Sequence, residues 1–231
     1  MKPILLLLVC GSALLAQEPA KSSAPKGAAP AKAPAAGASG LMNPAALRAR
    51  APDVFRAKFV TTHGDFVVEV TRAWAPLGAD RFYNLVQSGL FTDASFFRVA
   101  PNFIVQFGIP ASPAVARVWQ NANIKDDPVK QSNKRGNLVF ATAGPNTRTT
   151  QLFINLKDNG STLDSQGFAP FGTVVEGMDV VAGLYNGYGD DPSAPGGHGP
   201  RQELVQSQGK AYLDKNFPKL DSIKSAAVVA Q

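Results

Sequence analysis

The sequence predicts a mainly β protein, a closed antiparallel barrel with few helices, on three observations. Short runs rich in β-branched and aromatic residues recur along the chain, each bounded by Gly, Pro, Asn or Asp. The first two runs alternate apolar and polar residues and are joined by a tight turn. Helical spacing of apolar residues is confined to two or three stretches. By composition the 231 residues divide into a leader at 1–16, a linker at 17–52 and one folded domain at 53–231, long enough for a full core.

The elements follow in order. Val54 to Thr61 and Gly64 to Thr71 form a hairpin around His63-Gly64; Phe55, Ala57 and Phe59 make the apolar set of the first strand, Phe66, Val68 and Val70 that of the second. Pro76 to Gly89 reads as a helix, with Pro early, Gly at its end and Phe82, Leu85 and Val86 as its stripe. Ser95 to Val99 and Phe103 to Phe107 are strands around the turn dipeptide Pro101-Asn102. Residues alternate across a strand, so Phe103, Val105 and Phe107 are expected in the core, with Ile104 and Gln106 on the open face. Arg98 then stands across the turn from Gln106, beside an apolar floor. On these residues alone, a shallow site and a pair of merely solvated strand residues are equally good readings.

Ile109 to Pro128 reads as an ordered loop with Trp119 as a packing residue. A strand ends at Phe140, a Gly/Pro/Asn/Thr loop follows, and another strand runs to Asn155. Phe171 to Val175 is a strand, Glu176 to Tyr185 a helix, and Asn186 to Pro200 a loop by composition. Arg201 to Lys215 forms a short helix and Ile223 to Val229 a closing strand.

Met1 to Ala16 carries one basic residue, Lys2, then the apolar run Ile4 to Leu15 and a small residue, the pattern of a secretory signal peptide too short to span a membrane. The protein is therefore expected to be exported, periplasmic or secreted, without stable membrane insertion. Leu7 to Cys10 faintly suggests a lipid-attachment motif, but Val9 and the short run before it argue against anchoring through Cys10. Cys10 is the sole cysteine, so loss of the leader removes disulfides, thiolate metal sites and cysteine nucleophiles together. The Ala/Pro/Lys-rich stretch 17–52 has too little apolar surface to offset its ordering entropy and is expected to be a disordered linker. Six of the 23 basic residues but only one of the 17 acidic ones precede Asp53, so the domain itself is nearly neutral. It shows no clustered basic and aromatic surface, and no nucleic-acid partner is expected.

Two longer stretches carry a resemblance. Phe96 to Gly108 resembles the F-[HF]-R-x-x-x-x-F-x-x-Q-x-G run of the cyclophilin family of peptidyl-prolyl isomerases, and Ala141 to Ile154 resembles its A-x-A-G-P-N-T-x-x-x-Q-F-F-I run. Leu163-Asp164 and Phe171 to Val181 add to it, so the likeness extends from about Val54 to about Val229. It implies an eight-stranded antiparallel barrel capped by two helices, to which the chain adds a short C-terminal helix. It also implies that Arg98 is the main catalytic residue, with Gln106 and Phe103 beside it. Phe103, Ile104, Phe153 and Leu163 match the proline pocket, Gln106 the residue holding the substrate backbone, and Ala141, Thr142 and Gln151 the adjoining groove. The implied partners are proline-containing unfolded or partly folded polypeptides, bound by a monomer without cofactor or metal. Three positions depart from the family: Thr162 stands where eukaryotic members often have tryptophan, Phe168 near a rim histidine, and Thr142 for an asparagine. The first should weaken cyclosporin binding; together they leave the preference for the residue before proline open.

The remaining chemistry agrees. His63 lies in a hairpin turn, and His198 with Asp190 and Asp191 lies in Gly/Pro surroundings unsuited to a structural metal. Neither a Ser-His or Cys-His pair nor paired carboxylates appear in the two stretches. An arginine beside an apolar floor suits a reaction without proton transfer or bond cleavage. Rotation about X-Pro is one, with a barrier of roughly 18–20 kcal/mol. The alternatives are a non-catalytic proline-peptide module or holding chaperone using the same groove, and a surface adaptor in which the linker matters most.

Overall fold

The computed structural model describes residues 38–194 and 196–230; the predicted leader and the linker up to residue 37 lie outside them. The chain opens with α1 (Ala38–Leu41) and a 3-10 turn (Pro44–Ala46), then β1 (Val54–Thr61), β2 (Asp65–Thr71), α2 (Pro76–Gln87), β3 (Arg98–Ala100), β4 (Ile104–Phe107) and α3 (Pro113–Trp119). There follow β5 (Asn137–Phe140), β6 (Leu152–Asn155), α4 (Gly160–Leu163), β7 (Pro170–Glu176), α5 (Met178–Gly183), α6 (Gln202–Gln208), α7 (Lys210–Asn216) and β8 (Ile223–Val229).

All eight strands pair antiparallel in one sheet of order β3-β4-β6-β5-β7-β2-β1-β8. The expected closed barrel is not formed: the sheet is an open half-barrel with β3 and β8 as its edges. Only an isolated bridge, Ser95 to Ser222, links the segment before β3 to the segment before β8, flanked by Asp93 N–H donating to the Ile223 carbonyl at 2.8 Å. β3 is only three residues long, and the buried chain before it, Ala94 to Phe97, makes this one bridge without extending it into a ladder.

Period-two alternation puts Phe55, Ala57 and Phe59 of β1 inside. α2 lays Ala79, Phe82, Leu85 and Val86 on the sheet. Phe82 is the hub, its ring centroid 6.2 Å from Phe55, 6.2 Å from Phe59 and 5.3 Å from Phe171. Cutting such a side chain to alanine costs roughly 3–5 kcal/mol.

Three expectations are corrected. The loop at Ile109 to Pro128 contains α3, started by Pro113 at its first turn and burying Ala116 and Trp119. The expected C-terminal helix is two helices, broken at Gly209. There φ is +63° and a Cβ would meet the Ala111 carbonyl at 2.3 Å. Finally, the last dozen residues of the expected linker belong to the domain. Trp119 Nε1 donates to the Leu41 carbonyl at 2.8 Å, the Ala49 amide to Asn84 Oδ1 at 3.0 Å, and the Ala51 amide to Asp80 Oδ1 at 2.9 Å. Composition misled because this strap is held mainly through its backbone, with Leu41, Leu47 and Ala51 as its only apolar anchors on the core.

Candidate active site

The β3–β4 turn places the site. Register pairs Arg98 with Gln106, Gln106 with Phe153, and Phe153 with Val139, so four residues stand in one row across β3, β4, β6 and β5. Val105 and Phe107 point into the core, while Ile104 and Gln106 face the other side. Phe103 does not follow its expected alternation. It precedes β4 in a turn where Asn102 has φ +58°, and it packs with Ile104 rather than with the core.

Ile104, Val139, Phe153 and Leu163 form an apolar cluster apart from the main core, with Phe103, Ala141 and Phe168 packed against it half-buried. The rings of Phe153 and Phe168 meet edge to face at 5.6 Å. This cluster floors a cavity of about 540 Å³ whose lining includes every residue singled out above: Arg98, Phe103, Ile104, Gln106, Ala141, Thr142, Gln151, Phe153, Leu163 and Phe168.

The polar wall is a relay. Arg98 NH1 donates to Gln106 Oε1 at 3.0 Å, and Gln106 Nε2 donates to Gln151 Oε1 at 2.9 Å. The guanidinium also lies 5.8 Å from the centre of the Phe103 ring. On its far side, Nε and NH2 donate to the two carboxylate oxygens of Asp190, the second at 3.2 Å. Burial alone would raise the Asp190 carboxyl, but the Arg98 hydrogen bond and the Asp191 amide outweigh it and hold it below the usual carboxylate range.

Supporting contacts fix the rim. The loop from Ala141 to Gln151 is tied by Thr147 Oγ1, which accepts from the Ala143 amide at 2.9 Å and lies 2.8 Å from Thr142 Oγ1. Asp164 accepts from the Asn133 amide at 2.9 Å and side chain at 2.7 Å, and that side chain donates on to the Phe168 carbonyl at 2.9 Å. Leu163 and Phe168 are thereby held on either side of one hydrogen-bonded hub. Burial works to raise the Asp164 carboxyl, but the hydrogen bonds from Asn133 and Ser132 prevail and lower it.

Sequence reasoning missed part of the lining, made by Gln120 and Asn121 after α3 and by Gln202 and Gln206 of α6. The four-residue spacing of the two glutamines on a helix was a legible signal; Asp190, which does not line the cavity, offered none. His63 is half-exposed, 3.9 Å from Asp221, and lies outside the cavity. Among the described residues no group of three or more His, Cys, Asp or Glu is placed to hold a metal, and no helix is long and apolar enough to cross a membrane.

A mainly β half-barrel carrying an apolar pocket walled by one guanidinium and several amides defines a site that takes an apolar group beside hydrogen-bonding ones. The model of the cyclophilin type peptidyl-prolyl cis-trans isomerase family matches residues 56–198, and the chain belongs to that family, an isomerase. It is 34% identical over 131 residues to a peptidyl-prolyl cis-trans isomerase of Acinetobacter baylyi, covering 54% of this chain and 69% of the relative. It is likewise 34% identical over 131 residues to peptidyl-prolyl cis-trans isomerase B of Escherichia coli, covering 53% and 79%. Among solved structures, a Cryptosporidium parvum cyclophilin type isomerase shares the fold with a TM-score of 0.57 at 18% identity, covering 77% of this chain and 99% of that one.

Proposed function

We propose that this isomerase turns X-Pro bonds in unfolded or partly folded exported polypeptides, with Arg98 as its catalytic residue. The observation that carries this is the relay from Arg98 through Gln106 to Gln151, running beside the pocket of Phe103, Ile104, Phe153 and Leu163. The pyrrolidine ring sits in that pocket, and Gln106 and Gln151 hold the substrate backbone. Rotation costs the amide its resonance, and the prolyl nitrogen gains a lone pair as it does so. An N–H of Arg98 donates to that nitrogen more strongly in the twisted state than in either planar one, which is what lowers a barrier rather than merely binding substrate. No proton moves and no bond breaks. A second Cryptosporidium parvum cyclophilin structure, solved in the presence of the dipeptide Ala-Pro, supports the substrate class; it matches this chain with a TM-score of 0.55 at 19% identity.

Export rests on the leader read from residues 1–16. Fractionation of cells producing the chain with and without those residues tests it: an unchanged cytoplasmic location for both would overturn export. Catalysis is tested by exchange NMR of an Ala-Pro peptide, without a coupling protease. Fast exchange that falls about 100- to 1,000-fold in Arg98→Ala is expected, the cost of removing one transition-state donor. A folded wild-type chain that binds the peptide without accelerating exchange would favour the non-catalytic module.

A further inference from the structure

Three of the Arg98 nitrogens are committed in the free protein. Nε and NH2 grip the Asp190 carboxylate, and NH1 grips Gln106 at 3.0 Å. Because the guanidinium is planar and its donors form a rigid fork, two partners on two edges fix its plane. The remaining N–H groups, one on NH1 and one on NH2, are left with a set direction.

The loop that brings Asp190 is folded tightly on itself. The Asp191 amide donates to Asp190 Oδ1 at 2.6 Å, the Gly199 amide to the Asp190 carbonyl at 2.9 Å, and the Gly189 amide to the Asn186 carbonyl at 2.9 Å. A Cβ on Gly199 would come within 2.8 Å of the Asp190 carbonyl, and one on Gly197 within 1.9 Å of that of Asp191. The Arg98 and Asp190 side chains are 22% and 27% exposed, so the pair is better shielded than an ordinary surface ion pair. Asp190 lies outside the cavity lining and meets it through Arg98.

We propose that Asp190 is a positioning residue, and that the loop around it sets the plane in which Arg98 presents its free N–H to the twisting bond. The proposal rests on the catalytic reading of Arg98. It makes the turnover of this isomerase depend on a loop whose Asp190 stays out of the cavity lining and meets the polar relay at Arg98.

The test uses the full chain and an Ala-Pro peptide, with kcat and KM separated by exchange NMR. Asp190→Asn keeps the shape and loses the charge; kcat should fall about tenfold or more, as expected for a displaced catalytic group, with KM changed less than about twofold. The Arg98 Nε–H resonance should be protected from exchange with water in the wild type and move to the position of a free arginine in Asp190→Asn. In an Arg98→Lys background, Asp190→Asn should add less than about twofold, because two residues acting as one unit are not additive. Asp191→Asn serves as the loop control, since the Asp191 carboxylate accepts from Ser193 rather than from Arg98; its kcat should match the wild type.

Unchanged kcat in Asp190→Asn, a full additive loss in the Arg98→Lys background, or an equal loss in Asp191→Asn would each overturn the proposal. Failure of the catalytic reading is seen separately, as absence of exchange in the wild type, whereas this proposal is read from variant ratios and from the Arg98 resonance itself.

Discussion

Asp127 and Arg148 form a buried ion pair, each 5% exposed, with Arg148 NH1 donating to Asp127 Oδ2 at 3.1 Å. The same carboxylate accepts from the Leu77 amide at 3.1 Å and the Gly78 amide at 2.9 Å, capping α2, whose own N-cap residue Ala75 has no side-chain oxygen to offer. Arg148 sits in the loop that supplies Thr142 and Gln151 to the cavity, so one pair ties the helix to the site. Asp127→Ala takes the hydrogen-bonded carboxylate from a buried guanidinium, leaving Asp126 at 3.2 Å as its remaining charge partner, and leaves a helix end uncapped. A loss of about 3–5 kcal/mol is expected in urea unfolding, and a loss under about 1 kcal/mol would show that the pair does not anchor the loop.

The strap before β1 makes the second prediction. Asn84 is buried and exchanges hydrogen bonds with Ala49, its Nδ2 donating to the Ala49 carbonyl at 2.7 Å. A chain starting at Asp53 leaves Asn84, Trp119 and Asp80 without these partners. It should be less stable than one starting at Ala38 by at least about 2 kcal/mol, since buried groups left unpaired cost about 1–3 kcal/mol each. Equal melting temperatures would return the strap to the status of a linker.

Acid stability follows from Asp80. Burial alone would raise its carboxyl, but the Arg72 fork, at 2.7 and 2.8 Å, and the Ala51 amide lower it below the ordinary 3.8. A carboxyl depressed in the folded state binds fewer protons than in the unfolded state, so stability is present above that ordinary value and is lost as pH falls through the folded one. Asp164 and Asp190 shift the same way. Urea midpoints should therefore hold from about pH 6 to 5 and drop steeply below about 4. Asp80→Asn should be less stable at neutral pH and show a shallower acid limb; an unchanged limb would assign the slope to other groups.

Gly108 ends β4 with φ +99°, and a Cβ there would lie 2.4 Å from the Thr150 carbonyl. The end of β4 and the Thr150–Gln151 segment just before β6 can approach closely enough for the Gln106–Gln151 hydrogen bond only because no side chain stands between them. Gly108→Ala should cost about 1–3 kcal/mol and weaken peptide binding measured by titration calorimetry. Wild-type affinity in a destabilised variant would separate the strain from the site.

How much was legible depends on range. β1 and β8 were read with their observed bounds, because alternation and turn residues are local signals. The residues of the two motifs meet in one cavity because each motif packs its members within a strand and a turn, and β4–β6 pairing then joins the two. The orientation of Phe103 was not legible, since one left-handed residue, Asn102, breaks the alternation just before β4.

The sequence by itself determined the mainly β class, the helix α2 and the motif residues on one side of the cavity, carried by periodicity, turn chemistry and short motifs, while the Gln120, Asn121, Gln202 and Gln206 part of the lining was not read from it. Only the tertiary structure decided that the sheet stays open, that residues 41–52 strap the domain, and that Asp190 holds Arg98 from 92 positions away. Those outcomes depend on where backbone groups and loops arrive in space. A backbone hydrogen bond is open to every residue type except proline at its N–H, and an ion pair needs only two common charges, so neither leaves a pattern along the chain.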